Sequence, residues 1–284
     1  MIKRLSMVLV ILQLGAAGLM AQGPSFSSKI EAVRVDVLVT ENDRPVEGLR
    51  PDDFELSDNS VAQQVDLASF EKIPLNVILV LDLSASLEGD RLDHLRGAGN
   101  ALLDGLETAD RTALITFSHV VVQRTGLTGD RERVRAALDE TRGSGHTSLV
   151  DGSYAGMVLG ESDAGRSLLI VFSDGIDTAS WLSADLVLDT ARRTDVVVYG
   201  VEIGKRQSGF LSDLSAATGG RLLEIESTKD LNATFRGILQ EFRQRYLISY
   251  SPRGVATGGW HRLDVRVKGR RAAIKARPGY LAGF

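Results

Sequence analysis

Four short, almost unbroken apolar runs constrain this chain more than any other feature. They cover residues 75–81, 113–117, 168–172 and 196–201. A strand with one wet face alternates polar and apolar residues, whereas a strand covered on both faces reads as continuously apolar. Between the runs the period changes to that of helices. Leu92, Leu95, Leu102, Leu103 and Leu106 share one helical face, and Val134, Ala137 and Leu138 share another. Leu231, Phe235, Ile238, Leu239, Phe242 and Tyr246 recur at helical spacing over four turns. Strands alternating with helices predict an α/β fold, a doubly wound and mostly parallel sheet with helices on both sides.

The flanks read differently. Val33, Val35, Val37 and Val39 alternate with Arg34, Asp36 and Leu38, a period of two. Residues 41–45 read as a turn, and Phe54-Glu55-Leu56 and Val65-Asp66-Leu67 as short strands. Near the other end, residues 247–250, 261–268 and 272–276 are candidate strands. Either β stretch alone is small for independent stability. The expected organisation is an N-terminal β segment over 22–72, an α/β domain over 73–245, and a C-terminal β segment over 246–284 packed against the first as a small β domain.

Residues 1–21 form the three-part pattern of a secretory signal. Lys3 and Arg4 precede an uncharged apolar run from Leu5 to Ala21, with cleavage expected after Ala21. The run is short for a membrane span and no second one follows, so the mature chain is expected to be secreted or periplasmic, without a membrane span. Cysteine is absent, which excludes disulfides, thiol catalysis, iron–sulfur clusters and Cys-based zinc sites. The formal net charge is −4, yet residues 236–284 hold eleven Lys and Arg against Glu241 and Asp264. Arg262, Asp264, Arg266 and Lys268 alternate with Leu263, Val265 and Val267, the pattern of a strand with one solvated face, so no nucleic-acid partner is expected.

In a doubly wound sheet, ligands bind at the carboxyl ends of the strands. Asp82-Leu83-Ser84-Ala85-Ser86 follows the first buried run, and Ser173-Asp174-Gly175-Ile176-Asp177 follows a later one. Gly143-Ser144-Gly145-His146-Thr147-Ser148 lies ahead of a helix. All three loops are rich in oxygen. A carboxylate directly after an apolar run is costly unless it is paired or near a cation. Carboxylates, hydroxyls and waters suit Mg²⁺, Mn²⁺ or Ca²⁺.

These residues resemble the metal-ion-dependent adhesion site of von Willebrand factor type A domains. Asp82, Ser84, Ser86, Thr147 and Asp174 stand in that family's order on the expected elements, over about 170 residues. The flanks at 35–39, 51–55 and 277–280 resemble exported bacterial relatives. The resemblance implies a Rossmann-like fold and a divalent cation, Mg²⁺ or else Mn²⁺ or Ca²⁺. Ser84 and Ser86 would bind it through hydroxyls, Thr147 directly in a ligand-engaged state, and Asp82 and Asp174 partly through water. An open position on the ion would accept an acidic side chain from a protein partner. His146 replaces a frequent Gly of the family. His146, Trp181 and Asp177 are expected at the rim, and Asp151 as a supporting or capping residue.

Two other readings stay open here. In one, the domain is a scaffold whose metal only stabilises the loops. In the other it is a Mg²⁺-dependent hydrolase with Asp82 as nucleophile. The second suffers because Ser84 stands where such a phosphatase needs a second acid. Nucleophile-elbow, dinucleotide and phosphate-loop motifs are all missing. The expectation is a protein-binding module, not an enzyme.

Overall fold

The computed structural model describes residues 32–70, 73–162, 165–204 and 209–283. The expected export signal at 1–21 lies outside them. The α/β part runs β6 (Leu75–Asp82), α1 (Asp90–Asp104), β7 (Arg111–Phe117), β8 (Val121–Thr128), α2 (Arg131–Asp139), α3 (Leu149–Glu161), β9 (Arg166–Ser173), α4 (Ala184–Ala191), β10 (Val197–Ile203), α5 (Gly209–Ala217), β11 (Arg221–Ile225) and α6 (Leu231–Arg243). Before it come β1 (Val33–Glu41), β2 (Arg44–Pro45), β3 (Phe54–Asp58), β4 (Val61–Gln63) and β5 (Leu67–Ser69). After it come β12 (Tyr246–Tyr250), β13 (Gly259–Val267), β14 (Ala273–Lys275) and β15 (Gly279–Ala282).

The central sheet has the order β11-β10-β9-β6-β7-β8, with only β8 antiparallel to its neighbour. β6 lies in the middle, paired with β9 and β7, and every one of its residues is buried. Its two faces explain the unbroken apolar run. Leu75, Val77, Leu79 and Leu81 pack with Leu95 and Leu102 of α1, Val134 of α2, and Phe235 and Ile238 of α6. Ile78 and Val80 pack with Leu149 and Met157 of α3, Val187 of α4, and Leu211 of α5. A polar substitution on either face would therefore sit in a dry core. α3 lies against the sheet through glycines: a Cβ on Gly156 would come within 2.7 Å of Leu169 and Val80.

The remaining strands form two sheets, β14-β1-β12-β5 with β2 on β1, and β15-β13-β3-β4. Val35, Val37 and Val39, Phe54 and Leu56, Tyr246, Ile248 and Tyr250, and Leu263, Val265 and Val267 share one core. β13 alternates as read from sequence, with Leu263, Val265 and Val267 inward and its charged residues exposed.

Three details differ from the sequence reading. The second face of β1 is solvated only at Arg34: Asp36 and Leu38 are buried with the valines. Asp36 tolerates this because Arg166, itself buried, pairs with it and also donates to the Arg245 carbonyl. α6 stops at Arg243, so Tyr246 belongs to β12 rather than to the helix. Its hydroxyl donates to the Val46 carbonyl and accepts from the Leu49 amide, contacts a continued helix could not make. The short strand expected around Val65 begins instead at Leu67, where β5 pairs with β12.

Candidate functional site

The three oxygen-rich loops meet at the carboxyl edge of the central sheet. Asp82 closes β6, and its neighbour strand β9 closes with Ser173 and hands Asp174 to the next loop. The parallel register that aligns Leu81 with Phe172 brings these ends side by side. The third loop is tied on by backbone bonds: Ser144 N donates to Leu83 O at 2.7 Å, and Ala85 N to Gly145 O at 3.2 Å. Two glycines permit this approach. A Cβ on Gly143 would meet the Leu87 carbonyl oxygen at 2.2 Å, and Gly145 has φ +78° beneath the His119 ring.

The structure links four of the predicted oxygen donors, Asp82, Ser84, Ser86 and Asp174, by hydrogen bonds and places Thr147 beside Gly175. Ser84 Oγ is 3.0 Å from Ser86 Oγ, and Ser86 Oγ donates to Asp174 Oδ1 at 2.7 Å. Asp82 accepts from the Ser84 amide at 2.8 Å and from the Ser173 hydroxyl at 2.6 Å. Thr147 is buried beside the Asp174 loop, with its Oγ1 3.5 Å from where a Gly175 Cβ would stand. Thr147 is fixed by its backbone: its amide donates to Thr178 Oγ1, and its carbonyl accepts from Thr178 and Ala179.

The electrostatics are those of a cation hole. Asp82 is fully buried and has no basic partner among the described residues. Burial pushes its pKa from 3.8 up to about 6, with nearby Asp174 adding to the rise and the Ser173 and Ser84 bonds opposing it. The Asp174 side chain is buried too, but Arg91 in the first turn of α1 stands 3.3 Å from its Oδ2. Two carboxylates and three hydroxyls fit a hard divalent cation. Among the described residues no group of three or more His, Asp and Glu side chains offers an alternative metal site.

The other expected residues fall in distinct places. His146 is exposed on the third loop, and Trp181 is 94% exposed beyond the Asp174 loop. Asp177 is engaged in structural bonds: its Oδ1 accepts from Ser180 Oγ at 2.5 Å and from the Val150 amide at 3.3 Å, at the start of α3. Asp151 accepts from the Trp181 and Leu182 amides, both at 2.9 Å, and so anchors that loop. Sequence reasoning gave Ser173 no role of its own and missed Arg91. Ser173 was legible in principle, since the last residue of β9 must neighbour the last residue of β6. An arginine on a solvated helix turn gives no such signal.

An open parallel sheet with a carboxylate- and hydroxyl-lined crevice at its strand ends defines the class: a doubly wound α/β domain built to hold a ligand or ion at that edge. The family model of the von Willebrand factor type A domain matches residues 76–237, more than half of the chain, and the chain belongs to that family. It is 28% identical over 181 residues to an uncharacterized protein of Synechocystis sp., covering 60% of this chain and 42% of that one. It is 23% identical over 206 residues to inter-alpha-trypsin inhibitor heavy chain H1 of Bos taurus, covering 66% of this chain and 23% of the relative. The chain thus spans less than half the length of these relatives. Among solved structures, a von Willebrand factor type A protein from Catenulispora acidiphila superposes with TM-score 0.55 at 12% identity, over 90% of this chain and 74% of that one. Proximal thread matrix protein 1 of the mussel byssus, in a form with a zinc-occupied metal-ion-dependent adhesion motif, superposes with TM-score 0.55 at 14% identity, over 64% and 48%. At such identities the likeness is one of fold. Among the described residues, no helix is long and apolar enough to cross a membrane.

Proposed function

We propose that this chain is an exported, non-catalytic protein-binding module that uses a divalent cation to bridge an acidic side chain of a partner. Ser84, Ser86 and Thr147 supply neutral hydroxyl ligands, and Asp82 and Asp174 act partly through water. With few carboxylates in direct contact, the ion stays electron-poor and keeps affinity for an outside carboxylate. The donor set favours Mg²⁺, Mn²⁺ or Ca²⁺. The α/β domain over 73–245 carries the site, and the segments 22–72 and 246–284 serve as its shared β platform. Export rests on the signal pattern of residues 1–21.

The observation that carries this reading is Asp82: a fully buried carboxylate, without a basic partner among the described residues, at the base of a cradle of hydroxyls. Such a group is costly unless a cation completes it. The scaffold reading, in which metal only ties the loops, has less support, because backbone bonds already join the first and third loops. The hydrolase reading lacks the second acid two residues after Asp82, where Ser84 stands and donates its amide to that carboxylate.

The test is a thermal-shift and calorimetric titration with Mg²⁺ and Mn²⁺, against Asp82→Ala and against chelator. Saturable, chelator-reversible stabilisation confined to the parent is expected. No response to either ion in the parent would refute the proposal.

A further inference from the structure

The ion pair at the mouth of the site has a geometry that metal binding alone does not require. Arg91 Nη1 contacts Asp174 Oδ2 at 3.3 Å and the Ser86 carbonyl oxygen at 3.5 Å. Its two ends are unlike: the Asp174 side chain is 4% exposed, that of Arg91 52%. Nη1 is the one guanidinium nitrogen with a partner, and Nε and Nη2 have none among the described residues. The unengaged edge is the planar fork that matches a carboxylate in bidentate fashion. Glu88 and Asp90, the acids beside Arg91 in sequence, are exposed and form no ion pair with it.

We propose that Arg91 is the residue that makes this site select carboxylates. It neutralises Asp174 while the cradle holds no ion, and once a cation takes over that charge it presents its free edge to the acidic group of the partner. The inference rests on the metal-binding reading above. The physical chain is short. Asp82 and Asp174 place two negative charges at the crevice floor, and the guanidinium offsets only the second. A divalent cation in the cradle offsets both, which removes most of the attraction that holds Arg91 against Asp174. Arg91 and the ion are then neighbouring positive charges at a half-open mouth, and an anion that meets both relieves their repulsion. Removing Arg91 therefore has opposite effects on the two ligands. Metal binds more tightly because a competing cation is gone, and the carboxylate binds more weakly because one of its two positive partners is gone.

The experiment uses the full chain, Arg91→Gln, and Arg142→Gln as a charge control. Arg142 is an exposed arginine that borders the third loop, with its Nη1 on the Thr141 carbonyl and no acid of the site in contact. Mg²⁺ alone is titrated by calorimetry. Acetate is then titrated into the Mg²⁺-loaded proteins and followed by amide chemical shifts. For Arg91→Gln the expected result is a Mg²⁺ Kd lower by about three- to tenfold and an acetate Kd higher by about fivefold or more, with Arg142→Gln within about twofold of the parent on both. Effects of the same sign, no effect, or an equal effect from Arg142→Gln would overturn the role of Arg91 and leave the metal site standing. Absence of any Mg²⁺ response in the parent would overturn the metal site, and this inference with it.

Discussion

Replacing Asp82 by Asn should make the metal-free protein more stable while abolishing its response to metal. Asp82 is fully buried, and its pKa is pushed from 3.8 up to about 6, chiefly by burial. A shift of that size corresponds to about 3 kcal/mol of free energy stored against the charged form. Asparagine has the same shape and no charge. Its carbonyl oxygen can keep the Ser84 amide bond, and its amide can donate to Ser173 Oγ, whose hydroxyl proton has an alternative acceptor in the Gly175 carbonyl at 3.2 Å. Allowing for the loss of charge-assisted bonding, the variant should gain about 1–3 kcal/mol at pH 8 in chelator, on the order of 3–9 °C in Tm. The gain should depend on pH in one direction. Folding raises this pKa, so the folded parent holds the proton more tightly than the unfolded chain does. The parent thus recovers stability as pH falls from about 6 toward 3.8, and the two proteins converge below that. With Mg²⁺ at a hundred times its Kd the parent should gain about 2.7 kcal/mol and the variant nothing. Urea melts at pH 4 and pH 8, with chelator and with Mg²⁺, measure all of this. A variant no more stable than the parent at pH 8 in chelator, or one that still responds to Mg²⁺, would refute the reasoning.

Three further outcomes are expected. Mg²⁺ affinity should fall as pH drops below about 6, by up to about tenfold per unit, because a proton and the ion compete for Asp82; calorimetry in two buffers of different ionisation enthalpy would count the proton released. Asp36→Ala should cost about 3–5 kcal/mol by urea midpoint, since it leaves Arg166 buried without its carboxylate, and adding Arg166→Met should recover part of that loss. Gly156→Ala should cost about 1–3 kcal/mol, because the new methyl would stand 2.7 Å from Leu169 and Val80 and push α3 off the sheet; a thermal melt unchanged from the parent would contradict the close approach of that helix.

The parts legible in the sequence were those set by local pattern. The apolar runs announce strands covered on both faces, because six consecutive residues of β6, Val77 to Asp82, are buried on alternating sides and only the last of them is polar. The helical faces of α1 and α6 follow from the 3.6-residue period, and the wet face of β13 from a period of two. The acid–hydroxyl loops at residues 82–86 and 173–177 could be singled out because polar residues directly after apolar runs must lie at strand ends, and the loop at 143–148 because its glycines and hydroxyls stand ahead of a helix. What tertiary structure alone decided depends on which distant segments meet. Asp36 looks like a solvated strand residue until Arg166, 130 positions away, is found buried against it. Asp177 carries the chemistry of a ligand, but Ser180 and the Val150 amide claim its oxygen, and the start of α3 holds it there. Arg91 looks like any surface arginine, and only the adjacency of α1 and the β9 loop sets it on Asp174 across 83 residues of sequence. Backbone period is a local property and survives in the order of residues. The pairing of charges across loops is a property of the closed fold, because it exists only once the parallel sheet has aligned the strand ends.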